Sequence, residues 1–319
     1  MFSSRSFMTK TALLFAGQGA QVVGMGQDLV RKFAPAQEWF GRGKSVLGYD
    51  LGEICFSGPE TELTKTEHSQ PGIFLVSWVA WQLLKERVPG LEFSATAGLS
   101  LGEFTALAAA GALSFEDGLG LVRQRGRFMQ QACDATRGSM AAIIGLDETT
   151  TREVCEQAGV VLANLNCPNQ LVISGEIDKI SKACELAKAK GARRALPLTV
   201  AGAYHSPLMA AAQPKLSAEL NRVAVNTSAV AVISNVTARP HESPERIRAA
   251  LVDQVTSPVR WEESMRYLLG QGFNRFIELG PGSALSGFMK RIEPNVTILN
   301  VADLGSLEKT TESLLGQGA

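Results

Sequence analysis

The sequence predicts an α/β fold in which a small β-α-β-β-α-β subdomain is inserted into a larger α/β core. Two observations predict the core: an apolar run at residues 11–16 that ends in a glycine turn, and a strand, sharp turn and helix in succession around Ser100. The third is the alternation of short patterns over residues 137–199, which follows the split order of a ferredoxin-like unit. We therefore divide the chain into a core at 9–136 and 200–319 and an inserted subdomain at 137–199.

The first part of the core alternates short apolar strands with longer helical segments. Pro89-Gly90 ends a Trp-containing helix, because proline cannot continue the helical hydrogen bonding. The predicted elements are a strand at 11–16, helices at 25–41 and 71–87, a strand at 94–99, and helices at 101–112 and 115–135.

The inserted subdomain has the clearest order of elements in the chain. Cys167-Pro168-Asn169 is typical of a turn between two strands, and Gly191 is typical of a helix end, where glycine adopts the left-handed conformation. The predicted elements are a strand at 140–145, a helix at 148–158, strands at 160–165 and 170–174, a helix at 177–190 and a strand at 192–198.

Beyond residue 200 the core resumes with short strands. Gly280-Pro281-Gly282 predicts a turn between a strand and the helix that follows it. The predicted elements are strands at 229–236, 275–278 and 296–301, a helix that ends near 291, and a terminal helix at 307–315.

The bulk composition is that of a globular enzyme, with 45% hydrophobic and 19% charged residues. The 31 basic and 31 acidic residues give a formal net charge of zero, which argues against nucleic acid as the main partner. No apolar stretch is long enough to cross a bilayer, so we expect no membrane association. The N-terminal MFSSRSF is too short for a transit peptide and is interpreted as an irregular start before Met8 or Thr9.

The cysteines are odd in number and form no CxxC pair. They are Cys55, Cys133, Cys155, Cys167 and Cys184. This usage predicts reduced thiols in the cytoplasm rather than a disulfide framework or a zinc site, and we expect no metal. Nothing around Cys133 supplies a base, so we interpret it as a packing residue and not as a nucleophile.

Gly98-Leu99-Ser100-Leu101-Gly102 matches the G-x-S-x-G pattern of a nucleophile elbow. A serine on a tight strand-to-helix turn exposes its hydroxyl, and the helix that follows presents free amides that stabilise an oxyanion. A glycine-rich bend with a capping serine is the structural alternative. The apolar strand before the motif and the Ala-rich helix after it favour the catalytic interpretation.

A catalytic serine needs a base, and the chain has three histidines. His205 has small and apolar neighbours and a proline turn behind it, which suits a base at the edge of a core. His68 and His241 lie in polar, loop-like segments, and His241 is expected at the surface. Two candidates for the group that orients His205 stay open, Asp253 and a backbone carbonyl, because the second ring nitrogen needs only an acceptor.

Five segments in order resemble the malonyl-CoA:acyl carrier protein transacylases, and the resemblance runs from Thr11 to the last few residues. The segments are FAGQGAQVVGMG (15–26), GLSLGEFTALAAAGALSFEDGLGLVRQRGRFMQ (98–130), ANLNCPNQLVISG (163–175), GARRALPLTVAGAYHSPLM (191–209) and ELGPGSALSGFMKR (278–291). The resemblance implies a hydrolase-like parallel-sheet α/β core that carries acyltransferase chemistry, with an inserted ferredoxin-like subdomain.

The resemblance also implies roles for the catalytic residues. Ser100 matches the family's nucleophile and His205 its base. Gln18 and Leu101 match the residues whose backbone amides form the oxyanion hole. Gln254 matches the position whose backbone carbonyl holds the histidine, so the resemblance implies a Ser-His dyad without an acid.

Substrate-binding roles follow from the same comparison. Arg125 matches the arginine that pairs with the free malonyl carboxylate, whereas periodicity alone does not choose between it and its neighbours Arg123 and Arg127. Tyr204 occupies an aromatic position that leaves little room for a branch at the α-carbon, which favours malonyl over methylmalonyl. Asn166 resembles a position near the substrate entry.

Two further positions bear on the substrate. Asn164 also resembles a position near the entry. Leu99 departs from the histidine that many members carry before the nucleophile, and this departure removes one polar contact with the substrate. Arg193 and Arg194 are interpreted either as a docking site for an acidic carrier or as a solvated basic pair.

The expected activity is transfer of malonyl from malonyl-CoA to the phosphopantetheine thiol of acyl carrier protein, through a malonyl-serine, in fatty-acid synthesis. The resemblance implies no resident cofactor, since the partner carries the phosphopantetheine. Two alternatives stay open: a serine esterase or thioesterase, and a catalytically silent protein that docks the carrier. A hydrolase of neutral acyl chains has no use for a buried Arg125, which separates the first alternative from the transferase.

Overall fold

The structure, a computed structural model, describes residues 9–228 and 230–316, over which nine strands form two sheets. Residues 1–8, where we expect an irregular start, and residue 229 of a predicted strand lie outside these ranges. The strands are β1 (Thr11–Phe15), β2 (Ala95–Gly98), β3 (Gly138–Ile144), β4 (Val161–Cys167), β5 (Gln170–Glu176), β6 (Arg194–Pro197), β7 (Ala231–Ile233), β8 (Arg275–Leu279) and β9 (Thr297–Val301).

Helices cover the sheets, and a 3₁₀ helix over Pro207–Ala212 follows the last strand of the small sheet. In the described ranges no helix is both long enough and apolar enough to span a membrane. The α-helices are α1 (Gln27–Lys32), α2 (Ala34–Leu47), α3 (Leu51–Ser57), α4 (Glu60–Leu63), α5 (Thr66–Arg87), α6 (Gly102–Ala109), α7 (Phe115–Asp134), α8 (Glu148–Ala158), α9 (Ile177–Ala189), α10 (Gln213–Leu220), α11 (Pro244–Asp253), α12 (Trp261–Gly270), α13 (Ala284–Ile292) and α14 (Leu304–Gly316).

The core sheet is parallel throughout, with the strand order β7-β2-β1-β8-β9. Every residue of β1 is buried, which explains why this strand is a continuous apolar run instead of an alternating one. The chain leaves β1 toward β2 on one side and β8 lies on the other, so the strand order reverses at β1. Ligands of open α/β sheets bind at the carboxyl ends of the strands beside such a point.

The second sheet is antiparallel with the order β4-β5-β3-β6, so the predicted fold class is confirmed. Its helix α8 has the predicted bounds, and apolar residues of α8 and α9 pack on the sheet. The boundaries at 137–199 stay a prediction. Strand β4 is bonded to the segment between α11 and α12, since Val259 donates to Ala163 O (2.8 Å) and Leu165 donates to Val259 O (2.9 Å).

Two predicted helices have bounds that differ from the structure by five residues or more. The helix expected at 25–41 is broken, because Phe33 adopts an extended conformation and Pro35 fits only the first turn of α2. Helix α5 begins at Thr66, five positions before the expected start, with Pro71 inside it. His68 therefore lies on a helix and not in a loop.

Helix α7 approaches α5 closely at Gly126. A Cβ at this position would lie 2.5 Å from the backbone oxygen of Thr66, so only glycine allows this packing. The adjacent residue on α7 is Arg125, and the close approach sets how far its side chain extends over α5.

We expect Gly126→Ala to reduce the free energy of unfolding by about 1–3 kcal/mol, because the new methyl group must push two helix backbones apart. Gly120→Ala on the same helix is the matched control, since a Cβ there meets no atom within 4 Å. That change should stabilise the protein by about 0.4–1 kcal/mol. Denaturant unfolding measures both, and equal stability of the two variants would contradict the close-packing argument.

Candidate active site

Ser100 lies on the turn between β2 and α6 with a left-handed φ of 55°. A Cβ at Gly98 would lie 1.9 Å from the carbonyl carbon of Gly102, and one at Gly102 would lie 2.3 Å from Phe15 O. Both glycines of the motif are therefore required by backbone crowding. The backbone N–H of Ser100 donates to Oδ1 of Asn235 (2.7 Å), which ties the strained residue to the neighbouring loop.

His205 meets the nucleophile directly, with its Nε2 2.9 Å from Ser100 Oγ. Its Nδ1 lies 2.8 Å from Gln254 O and 3.1 Å from Ser257 O. A carbonyl oxygen only accepts, so Nδ1 carries the proton and Nε2 is free to accept from the serine hydroxyl. Of the two open alternatives, the carbonyl and not Asp253 holds the ring. His205 also has a left-handed φ of 55°.

Burial, aided by the positive charge of Arg125, lowers the pKa of His205 to about 4. The imidazole is therefore neutral near pH 7, the state in which it can remove a proton from Ser100.

We expect the reaction of Ser100 with a neutral sulfonyl fluoride to keep its rate from pH 7 down to about pH 5 and to fall only near pH 4. Protonation of His205 removes the base that activates Ser100. Because the pKa of His205 is low, the reaction rate falls only at correspondingly low pH. An imidazole of ordinary pKa, about 6.5, would lose about tenfold in rate by pH 5.5. The measurement is the inactivation rate against pH, and a half-loss near pH 6.5 would contradict the prediction.

Arg125 is 1% exposed and lies beside the nucleophile. Its Nη2 donates to Ser100 Oγ (3.0 Å) and to Gln254 Oε1 (2.9 Å), and its Nη1 donates to Gln70 Oε1 (2.8 Å). Burial lowers the pKa of Arg125 to about 10, so it remains a cation near pH 7. Arg127 is exposed and Arg123 is only half-buried, so the structure selects Arg125 among the three arginines.

The partners of this buried cation are neutral. Among the described residues no carboxylate lies within salt-bridge distance of Arg125, and its Nε has no hydrogen-bond partner. A buried guanidinium that no carboxylate contacts directly favours an anionic ligand that can accept two parallel hydrogen bonds.

A cavity of about 390 Å³ opens over Ser100 and His205. One wall is formed by residues that follow β1, including Gln18, and the opposite wall is formed by the antiparallel sheet, including Asn164 and Asn166. The catalytic pair therefore lies between the two sheets. A cavity of this size and lining suits a small acyl group attached to a longer arm.

The remaining predicted residues also line or border this cavity. Tyr204 is held by Thr66, whose Oγ1 lies 2.6 Å from its hydroxyl, and burial raises the pKa of Tyr204 to about 12. The Oδ1 atom of Asn166 is buried without a protein partner in the described ranges. Gln18 lines the same cavity as Ser100, Leu101 follows Ser100 in the chain, and among the described residues neither backbone N–H donates to a protein acceptor outside regular elements.

Four buried polar residues of the site carried no signal in the sequence: Gln70, Glu103, Asn235 and His241. They contact the site through bonds between positions far apart in the chain, such as the 151 positions between Glu103 and Gln254. The expectation that His241 is a surface residue is wrong. Its side chain is 5% exposed because its ring lies against Glu103.

Comparisons with known proteins show the family to which this chain belongs. Residues 12–310 match the family model described as acyl transferase domain. The malonyl CoA-acyl carrier protein transacylase of Bacillus subtilis is 42% identical over 96% of this chain and 98% of its own length. The structure of an acyl-carrier-protein S-malonyltransferase from Burkholderia pseudomallei superposes with a TM-score of 0.92 at 40% identity, over 95% of this chain and all of that one.

A further solved structure contains a partner. It is a malonyl-transacylase in complex with a type II PKS acyl-carrier protein, similar with a TM-score of 0.92 at 38% identity over 96% of this chain and 100% of that chain.

Proposed function

Since this chain belongs to the acyl transferase domain family, we propose that it transfers malonyl from malonyl-CoA to the phosphopantetheine thiol of an acyl carrier protein, for fatty-acid synthesis. The observation that carries the proposal is a buried Arg125 without a carboxylate partner, placed 3.0 Å from the hydroxyl of a Ser-His pair. This arrangement combines a nucleophile with a receptor for the acyl group's own carboxylate.

In the first half-reaction His205 Nε2 takes the proton of Ser100 as Oγ attacks the thioester carbonyl. The backbone N–H groups of Gln18 and Leu101 stabilise the oxyanion. The C–S bond then breaks, the proton on Nε2 passes to the coenzyme A thiolate, and a malonyl ester remains on Ser100. Its carboxylate pairs with Arg125.

The second half-reaction repeats these steps with another thiol. His205 takes the proton of the phosphopantetheine thiol, the thiolate attacks the ester, and the proton returns to Ser100 Oγ as the C–O bond breaks. The two substrates thus react in turn at one site, which predicts ping-pong kinetics. Tyr204 and Asn166 line the cavity, and the proposal assigns Tyr204 to the acyl group and Asn166 to the substrate entry.

Every step uses groups of the chain and its two substrates, so we propose that the reaction needs no resident metal or cofactor. The described cysteines are free and buried, which is consistent with work in the cytoplasm, where thiols stay reduced. Nucleic acid has no part in the proposal, given the formal net charge of zero. A hydrolase of neutral acyl chains is disfavoured, because a neutral acyl chain carries no negative charge that could pair with the buried guanidinium.

Intact-mass measurement tests the proposal. Brief incubation with malonyl-CoA should add one malonyl group to the protein and release one equivalent of coenzyme A. Addition of a holo acyl carrier protein should then remove the adduct and increase the mass of the carrier by the same amount. Continuous release of coenzyme A without an adduct would instead identify a hydrolase, and neither adduct nor release would indicate a silent docking protein.

A further inference from the structure

A buried carboxylate with no assigned step lies behind the nucleophile. Glu103, in the first turn of α6, is fully buried, and its Oε2 accepts from Gln254 Nε2 (2.6 Å) and from the backbone N–H of Asn235 (3.0 Å). Its Oε1 lies 2.7 Å from Nε2 of His241. The two N–H groups can only donate, so Oε2 accepts both of these bonds, and Oε1 accepts from His241 Nε2 when that nitrogen carries the ring proton.

This carboxylate determines which way the side-chain amide of Gln254 points. With the NH₂ group toward Glu103, the amide oxygen faces Arg125 and accepts from Nη2 at 2.9 Å. A reversed amide would place its oxygen against the carboxylate and its NH₂ group against the guanidinium. An acceptor would then face an acceptor at Glu103, and a donor would face a donor at Arg125. The reversed orientation is therefore excluded while Glu103 is ionised.

The same arrangement places a negative charge near Arg125 without direct contact. Glu103 acts across the amide of Gln254, and its charge opposes the effect that burial has on the pKa of Arg125. A direct Glu–Arg pair would occupy the guanidinium N–H groups that an incoming carboxylate needs. Glu103 compensates the buried charge across the amide of Gln254, and guanidinium N–H groups stay available for the substrate.

Glu103 is also bonded to the elements that hold the catalytic pair. Gln254, its first partner, accepts from His205 Nδ1 through its backbone oxygen (2.8 Å). Asn235, its second partner, accepts the backbone N–H of Ser100 and donates to the oxygen of Gly98 (2.7 Å each). A single residue, Gln254 or Asn235, therefore connects the Glu103 carboxylate by hydrogen bonds to the nucleophile, to the base and to the guanidinium.

We infer that Glu103, held by His241, is a positioning residue for the transfer reaction: through Gln254 it presents Arg125 to the malonyl carboxylate, and through Asn235 it supports Ser100. The inference rests on the proposed function. Glu103 and His241 act through the Gln254 amide on the guanidinium that binds the malonyl carboxylate, so their effect is larger for a carboxylated acyl group, whereas the support of Ser100 through Asn235 affects all thioesters.

The test compares loading of Ser100 from malonyl-CoA and from acetyl-CoA. Glu103→Gln should lower kcat/KM for malonyl-CoA by about 10- to 100-fold, the range for losing a hydrogen bond to a charged group, and should lower it less for acetyl-CoA. Glu242→Gln is the matched control, because it makes the same change on a side chain that is 81% exposed. The control should retain the malonyl-to-acetyl ratio of the unchanged protein.

A second pair of variants isolates the contact with His241. His241→Leu removes the donor to Glu103 and should lower the malonyl-to-acetyl ratio, whereas His241→Gln supplies an amide donor and should restore most of it. This pair also carries the test if Glu103→Gln does not fold.

Equal losses for both thioesters in Glu103→Gln, or an unchanged ratio in His241→Leu, would overturn the inference and reduce the network to a structural role. Adduct formation by the unchanged protein distinguishes a failure of this inference from a failure of the proposed function. If it forms no malonyl adduct, the proposed function fails; if it does and the ratio stays constant across the variants, only the positioning role fails.

Discussion

Replacement of Ser100 by alanine should abolish the malonyl adduct and lower transfer by about 10⁴-fold or more. The hydroxyl is the atom that bonds to the acyl carbon, and in this site it is contacted by both His205 Nε2 and Arg125 Nη2. Alanine keeps the Cβ and the left-handed backbone, so the fold should survive. Intact mass after brief exposure to malonyl-CoA measures the result.

The His205→Ala variant is the companion experiment. Because the two residues act as a unit, the Ser100→Ala/His205→Ala double variant should be no slower than either single variant alone. An adduct on the Ser100→Ala protein would show that another side chain is the nucleophile. Cys133 would be the first to examine, although burial raises the pKa of its thiol to about 11.

Replacement of Arg125 by alanine should lower kcat/KM for malonyl-CoA by about 10²- to 10³-fold, because the substrate carboxylate then enters a buried site without its cation. Acetyl-CoA has no carboxylate to leave unpaired, so its loss should be much smaller. Arg125→Lys should recover only part of the activity, since a lysine ammonium cannot form the two parallel bonds of a guanidinium.

Arg127→Ala is the matched control, since it removes an exposed arginine from the same helix. It should leave the rates with both thioesters unchanged. If Arg125→Ala slows both thioesters equally, the contact between its Nη2 and Ser100 Oγ matters, and the proposed pairing with the malonyl carboxylate does not.

Local sequence patterns predicted the parts of the fold that are specified locally. The inserted β-α-β-β-α-β unit was predictable because its turns carry Pro168-Asn169 and Gly191, and Asn169 does adopt a left-handed φ of 58°. The break at Phe33 was missed although Pro35 marks it, because a proline fits only the first turn of a helix and therefore indicates that a new helix starts beside it. Pro71 likewise misled the start of α5, because a proline can lie inside a helix that tertiary packing stabilises.

In the site, too, residues within a local sequence pattern were predictable, and residues defined by tertiary contacts were not. Ser100 was predictable from its glycine neighbours. The backbone is so crowded at these two positions that no side chain fits there. Gln70, Asn235 and Glu103 were not, because each is defined by a contact across the fold and none belongs to a local pattern. His241 was misplaced for a related reason: its polar neighbours in sequence indicate solvent, whereas its own ring turns inward to a carboxylate.

The left-handed backbone shared by Ser100 and His205 has a consequence for how this protein can change over generations. Each such residue costs about 1–3 kcal/mol relative to a relaxed conformation, and glycine at either position would relieve most of that cost. Selection for thermal tolerance alone would therefore favour losing the two residues that do the chemistry. With Ser100 and His205 in place, the folded state is less stable than this architecture permits, and the lost stability is the cost of placing the nucleophile and its base.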